Sequence, residues 1–251
     1  MVDDEMAEYK HSMSKPERVD KILSNLGYGT RSGVKKILKT GRVEVDGKCV
    51  TDGSQKVLPE SGGIKIDGHP LVYREFVYLM LNKPKGYISA TKDRHQKTVA
   101  DLVPAEFRRF ALFPVGRLDI DTEGLLLLTN DGDLAHCILS PKKNVKKKYY
   151  ASLDKPINED IVKAFKSGVA IGHGDTCKPA ELSMVSDTEA EVIITEGKHH
   201  QIKRMFFAFG INVVYLKRTE MAGIKLDRNL GKGQIRELSP EETELITKLK
   251  T

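Results

Sequence analysis

The stretch from residue 116 to residue 131 constrains this chain more than any other segment. Three acids, Asp119, Asp121 and Glu123, alternate in a polar turn, and four consecutive leucines follow at Leu125–Leu128. The leucine run predicts a buried strand. The turn therefore brings carboxylates to the edge of a hydrophobic core, where burial shifts a pKa and a substrate can still reach the group.

Length and composition exclude several classes of protein. The chain has 251 residues and a mean hydropathy of −0.36, and it contains no apolar run long enough to cross a bilayer. Its first residues are acidic and polar, unlike a secretory signal. Cys49, Cys137 and Cys177 lie far apart, which argues against a disulfide framework or a zinc site. We therefore expect a cytoplasmic protein without a membrane partner.

Positive charge is concentrated in two places. The net charge is +6, and residues 142–148 hold five lysines and no acid. The other cluster comprises Arg31, Lys35, Lys36, Lys39, Arg42 and Lys48. Two separate basic clusters favour a polyanion that is contacted at more than one place, and two solvated faces are the alternative.

The first 72 residues predict a small module. Residues 1–15 lack apolar periodicity and are expected to form a disordered leader. Apolar residues at helical spacing predict one helix from Pro16 and a second one after Thr30, and Asp46-Gly47 predicts a β-hairpin. The resulting domain, 16–72, is too small to hold an enzyme pocket, and its outer face is basic.

The remainder, 73–251, predicts more strands than helices. Strands are expected at 77–81, 125–129, 149–153 and 189–195, and helices after Asp131, at 158–167 and from Ile202 to Phe209, closed by Gly210. Strands and helices do not alternate regularly. This order favours an α+β fold with a mixed, mainly antiparallel sheet.

The acidic turn admits three interpretations. An EF-hand would need Glu at its twelfth position, where this chain has Asn130. A glycosidase could use Asp119 and Asp121, about 7 Å apart along an extended segment. A basic chain with no Trp is, however, a poor carbohydrate binder. The third interpretation, in which Asp121 and Glu123 shape the turn and pair with Arg117, stays open.

Two further motifs carry basic and aromatic groups. Adjacent residues His199 and His200 do not share one helix face, so a metal pair there is not expected. Lys203 follows at the start of a helix, where a cation can keep a buried carboxylate ionised. Tyr149 follows Lys147 in the lysine run, which suits base stacking combined with phosphate contacts. A tyrosine that begins a half-buried strand is the alternative.

Together these motifs resemble the bacterial ribosomal RNA pseudouridine synthases, in particular the branch acting on small-subunit (16S) rRNA. The matching segments, in family order, are Leu81-Asn-Lys-Pro-Lys-Gly86, Gly116-Arg-Leu-Asp119-x-Asp-Thr-Glu-Gly-Leu-Leu, Lys147-x-Tyr149 and Glu196-Gly-Lys-x-His-Gln-Ile-Lys203-Arg-Met. Residues 18–57 are similar to an S-four-like RNA-binding domain. The resemblance spans Arg18 to Leu238.

The resemblance implies roles for named residues. Asp119 is expected to be the catalytic carboxylate, Arg117 to lie near the flipped nucleotide, and Tyr149 to pack against the target uracil. Lys203 is expected to pair with Asp119, although many relatives carry arginine there, and Lys147 is expected to bind substrate. RNA contacts in the N-terminal domain are expected from Arg31, Lys35, Lys36, Lys39 and Arg42.

The reaction implied is the isomerisation of uridine to pseudouridine. It breaks the N1–C1′ bond, turns the base and joins C5 to C1′, so it needs no cofactor or catalytic metal. The carboxylate either attacks C1′ or removes the C2′ proton, on a nucleotide flipped out of the RNA. The expected partner is rRNA or an assembling small subunit, bound by a monomer. The alternatives are a non-catalytic rRNA-binding assembly factor, a large-subunit synthase and a nucleosidase.

Overall fold

The computed structural model describes residues 15–59, 63–71, 73–172 and 174–250. They form two units, of which the first ends at Glu75 and the second begins at Phe76. The domains expected from the sequence, 16–72 and 73–251, stay predictions. Apart from its last residue, the expected disordered leader lies outside the described residues.

Among its described residues, the first unit contains two α-helices and six short strands: β1 (Glu17–Arg18), α1 (Val19–Asn25), α2 (Arg31–Lys39), β2 (Val43–Val45), β3 (Lys48–Cys49), β4 (Lys56–Val57), β5 (Ile64–Ile66) and β6 (His69–Pro70). Four strands form an antiparallel sheet in the order β3-β2-β5-β6, and β1 pairs with β4. The helices predicted near Pro16 and after Thr30 are therefore present, and the first begins three residues later than expected.

Local chemistry explains the ends of these elements. The Thr30 hydroxyl accepts a hydrogen bond from the Gly33 amide and so begins α2. Between β2 and β3, Asp46 and Gly47 both have positive φ, 49° and 75°, as a tight hairpin turn requires. The predicted hairpin is confirmed.

The second unit contains nine strands and five α-helices among the described residues: β7 (Tyr78–Lys83), α3 (Ala105–Arg108), β8 (Phe113–Pro114), β9 (Glu123–Thr129), α4 (Gly132–Leu139), β10 (Lys147–Leu153), α5 (Glu159–Ser167), β11 (Glu181–Ser186), β12 (Glu189–Ile194), α6 (Gln201–Phe207), β13 (Val213–Met221), β14 (Ile224–Lys225), β15 (Ile235–Glu237) and α7 (Pro240–Thr247). The strands form one sheet in the order β11-β12-β10-β13-β9-β7-β15, with β14 beside β13 and β8 beside β9. Among these described strands, β13 and β9 form the only parallel pair. The predicted α+β class is confirmed.

Strand β9 forms the centre of this unit. All seven of its residues are buried, as the leucine run predicts. Leu125 and Leu127 pack in one cluster with Met80 of β7 and Ile138 of α4. The Asp131 carboxylate begins α4 by accepting a hydrogen bond from the Leu134 amide. None of the described helices has both the length and the apolar character to cross a bilayer.

A glycine permits the parallel contact between β9 and β13. Gly124 pairs with Arg218 and has a φ of 100°. A Cβ atom added at Gly124 would lie 2.2 Å from the Arg218 carbonyl oxygen, closer than any real contact. Glycine is therefore required where the end of the acidic turn meets the neighbouring strand.

Candidate active site

A cleft of about 740 Å³ opens in the second unit. Residues from the acidic turn, from β10 and β13, and from the start of α6 line it. The structure brings to this cleft all five side chains that the sequence predicted to act on substrate: Arg117, Asp119, Lys147, Tyr149 and Lys203.

The backbone of the acidic turn is held by a buried lysine. Lys83, at the end of β7, is fully buried, and its ammonium group donates hydrogen bonds to the carbonyl oxygens of Asp119 (3.0 Å) and Thr122 (2.9 Å). A third bond goes to the Pro84 carbonyl at 3.2 Å. Burial lowers the pKa of Lys83 to about 8. The side chain thus fixes both ends of the segment that presents Asp119.

One lysine serves two of the acids. Lys203 Nζ lies 3.4 Å from Asp119 Oδ2 and 2.6 Å from Asp121 Oδ1. Partial burial raises the pKa of Asp121, but the Lys203 ammonium outweighs it and holds that pKa below its usual value. The cation at the start of α6 is therefore shared between the expected catalytic carboxylate and its neighbour.

The third acid faces different partners. Glu123, the first residue of β9, is 6% exposed, and its carboxylate contacts Lys232 Nζ at 2.7 Å and accepts a hydrogen bond from the Tyr215 hydroxyl at 2.8 Å. Within the described ranges, Arg117 forms no ion pair with Asp121 or Glu123. The structural role considered for these two acids is thus supplied by cations other than Arg117.

The turn before α6 carries two stacked imidazoles. The rings of His199 and His200 are 3.8 Å apart and inclined by 23°, and His200 Nε2 lies 3.6 Å from Asp119 Oδ1. The sequence did not predict this stacking, because it depends on a turn outside the helix. His200 lies just before α6 and has a left-handed φ of 49°. The part of the chain that the structure describes holds no cluster of three or more metal-ligating side chains.

Glu196 stabilises the turn before α6 through hydrogen bonds. Glu196 Oε1 accepts hydrogen bonds from the Lys178 amide at 2.8 Å and from Gln201 Nε2 at 2.9 Å. Gln201 Oε1 in turn accepts from the Lys198 amide at 2.9 Å. The start of α6, and with it Lys203, is therefore fixed by side-chain hydrogen bonds of Glu196 and Gln201.

Two cations and a tyrosine lie at the buried end of the cleft. Lys147 and Tyr149 on β10 are 8% and 7% exposed, and Arg218 on β13 is 1% exposed. Arg218 Nε donates to the Leu125 carbonyl at 2.7 Å, and its Nη1 donates to the Tyr149 hydroxyl at 3.4 Å. Burial, assisted by the charge of Arg218, lowers the pKa of Lys147 to about 8. We call Lys147, Tyr149 and Arg218 the cleft floor.

The depressed pKa predicts how stability changes with pH. An unfolded lysine titrates near 10.5, so between about pH 8 and 10.5 the unfolded chain holds more protons than the folded one. The free energy of unfolding is expected to rise with pH across this window, by up to about 1.4 kcal/mol per pH unit for Lys147. Lys147→Met should show a smaller rise than the wild type in urea unfolding at pH 8 and 9.5. Parallel profiles would contradict the assignment.

The basic residues predicted to contact RNA lie in the first unit. All five are exposed: Arg31, Lys35, Lys36, Lys39 and Arg42. Four of them belong to α2, whose inner residues Val34 and Leu38 are buried. Arg42 is held by Asp67, with 2.6 Å between Nη2 and Oδ2. The structure thus leaves the basic side chains of α2 exposed to solvent.

Comparison with known proteins decides the family. Residues 77–208 match the family model described as RNA pseudouridylate synthase, and residues 17–61 match the model of the S4 domain. The chain belongs to the RNA pseudouridylate synthase family. The predicted resemblance, the predicted S-four-like domain and the predicted enzyme class, an RNA pseudouridine synthase, are confirmed.

Relatives in this family match nearly the whole chain. An RNA pseudouridine synthase of Bacillus subtilis is 47% identical over 91% of this chain and 98% of its own length. The ribosomal small subunit pseudouridine synthase A of Escherichia coli is 39% identical over 90% of this chain and 97% of its own length. A crystal structure of a pseudouridylate synthase superposes on this chain with a TM-score of 0.65 at 34% identity. The alignment covers 91% of this chain and 99% of the chain in that crystal structure.

Proposed function

We propose that this protein isomerises a specific uridine of small-subunit rRNA to pseudouridine, with Asp119 as the catalytic carboxylate. The observation that carries the proposal is the position of Asp119. Its backbone is fixed by Lys83, and its carboxylate lies 3.4 Å from Lys203 in a cleft that also holds Tyr149. The small-subunit substrate is supported by the similarity to the Escherichia coli enzyme.

The residues divide the reaction between sugar and base. A flipped uridine enters the cleft and its uracil packs against Tyr149, while Arg117, exposed at the cleft, contacts phosphate. Asp119, whose carboxylate lies 3.4 Å from the Lys203 ammonium, acts at the ribose, either on C1′ or on the C2′ proton. The base detaches, turns and bonds through C5. Substrate and product have the same composition, because the hydrogen lost from C5 is replaced by one at N1.

Pseudouridine mapping in cellular rRNA tests this function. Ribosomal RNA from cells with and without the protein is compared, and we expect one small-subunit position to lose its pseudouridine. A lost position in large-subunit rRNA would identify that substrate instead. An unchanged map would favour the non-catalytic assembly factor. Purified protein should also convert a small-subunit transcript without changing its mass, whereas a nucleosidase would release free uracil.

The S4 domain is proposed to anchor the RNA electrostatically. The double change Lys35→Gln and Lys36→Gln is expected to weaken rRNA binding and to reduce the slope of log K against log salt by about 2, one for each phosphate contact. Fluorescence anisotropy over a salt series measures both quantities. The matched control is Lys163→Gln with Lys166→Gln, which removes two exposed lysines from α5. Equal effects of the two pairs would contradict a specific role for α2.

A further inference from the structure

The Arg218 guanidinium has binding capacity that the fold does not use. The side chain is 1% exposed, and its Nη2 has no hydrogen-bond partner in the described structure. Nε and Nη1 are occupied by the Leu125 carbonyl and the Tyr149 hydroxyl. None of the described carboxylates forms an ion pair with Arg218. A buried cation without an anion is costly, and an apolar side chain of similar size would avoid that cost.

The location of Arg218 indicates what it could bind. It lines the cleft together with Tyr149, against which the uracil is proposed to pack, and with Lys147. Its guanidinium carbon lies 5.9 Å from the centre of the Tyr149 ring. A group that reaches this floor is therefore part of the flipped base itself, and the phosphates of the RNA backbone remain nearer the mouth.

The reaction generates an anion at that place. When the N1–C1′ bond breaks, its electron pair leaves on the uracil, whichever way Asp119 acts at the ribose. The negative charge is spread over N1 and the two carbonyl oxygens of the ring until C5 bonds to C1′. As C5 bonds to C1′, either the ester bond between Asp119 and C1′ breaks or, where Asp119 has removed the C2′ proton, that proton returns to C2′. The proton at C5 is then lost and N1 gains one, so the balance of atoms and electrons closes. A donor that meets this charge stabilises the step in which it develops.

We infer that Arg218 is a further catalytic residue, whose Nη2 donates a hydrogen bond to a carbonyl oxygen of the uracil and stabilises the detached base as an anion. The inference rests on the proposed function. The neighbouring ammonium of Lys147 adds a second positive charge to the floor, and Lys83 is excluded from this role because its ammonium donates to three carbonyls.

The first test measures whether the loss of activity appears in kcat or in KM. Arg218→Met should lower kcat by about 10²-fold to 10³-fold and leave KM within a few-fold, because the contact strengthens as charge develops. Lys217→Met is the matched control, since alternate residues of a strand point to opposite faces, and it should retain the wild-type rate. A higher KM with an unchanged kcat would overturn the inference, because it would show that Arg218 binds the substrate equally well before and during the reaction.

The second test identifies the contact atom. The RNA segment found by the mapping experiment is synthesised with uridine, 2-thiouridine or 4-thiouridine at the target position. For each carbonyl position, the rate on uridine is divided by the rate on the corresponding thiouridine. Because sulfur is a weaker acceptor for a charged donor, this ratio should be high in the wild type at the position that Arg218 contacts. In Arg218→Met the ratio at that position should be about tenfold lower. Unchanged ratios at both positions would show that Arg218 acts only through Tyr149 and would overturn the inference.

A second substitution guards against misfolding. If Arg218→Met fails to unfold cooperatively, Arg218→Lys retains the charge but lacks the second amino group. It should lower kcat by about tenfold or more and show the same change in ratio. Wild-type kcat and ratios in that protein would overturn the inference. Failure of the wild type to convert the oxygen substrate would instead refute the proposed function, so the two failures are distinguishable.

Discussion

Asp119→Asn is expected to lower the rate of pseudouridine formation by at least about 10⁴-fold and to leave RNA affinity within a few-fold. Asparagine matches the shape of the carboxylate but can neither attack C1′ nor accept a proton. The release of tritium from rRNA labelled at C5 of uridine measures the rate, because the isomerisation expels that hydrogen. Fluorescence anisotropy measures the affinity.

The matched control is Asp121→Asn. Asp121 lies in the same turn and contacts the same lysine, at 2.6 Å from Lys203 Nζ. We expect its loss to lower the rate by less than about tenfold. If Asp119→Asn retained activity, or if Asp119→Asn and Asp121→Asn lost activity equally, the assignment of the chemistry to Asp119 would be wrong.

Lys83→Met is expected to lower the free energy of unfolding by about 3–5 kcal/mol and to lower activity with it. The methionine fills the space of the alkyl chain but leaves three carbonyl oxygens, those of Pro84, Asp119 and Thr122, without their charged donor. Hydrogen bonds to charged groups contribute about 1.5–3 kcal/mol each, and a buried acceptor without a donor adds a penalty. The net loss is smaller than the sum over three bonds, because methionine avoids the cost of burying an ammonium group. Urea unfolding followed by circular dichroism measures the change.

The control for this prediction lies two residues further on. Lys85 is exposed, and Lys85→Met removes the same charge without exposing a buried acceptor. Its free energy of unfolding should stay within about 0.5 kcal/mol of the wild-type value, as for an ordinary surface substitution. Equal midpoints for Lys83→Met and the wild type would show that the turn is held by other contacts.

Local signals predicted the elements whose sequence carries their own periodicity. The leucines of β9, the hairpin at Asp46-Gly47 and the cap at Thr30 were all found where expected. The last predicted helix ends at Phe207, earlier than the glycine at 210, and Phe209 is 38% exposed. The apolar spacing in the sequence continues to Phe209, although the helix and its buried residues end before that position.

Strand β13 was not predicted, and with it Arg218 was missed. Its residues alternate imperfectly between buried and exposed, and it is defined by pairing with β10 and with β9, far away along the chain. Contacts between distant segments leave no local pattern. The role of Lys83 was missed for the same reason, because its acceptors Asp119 and Thr122 lie 36 and 39 residues further on.

The parallel contact at Gly124 has a consequence for how such a cleft can diversify. The turn that carries Asp119 leads into β9 where that strand is bonded to β13, the strand that carries Arg218. The spacing of the two groups is therefore set by main-chain pairing and not by the side chains around the opening. Residues such as Arg117 at the mouth could be exchanged, and a different RNA admitted, while the distance between Asp119 and Arg218 stayed the same.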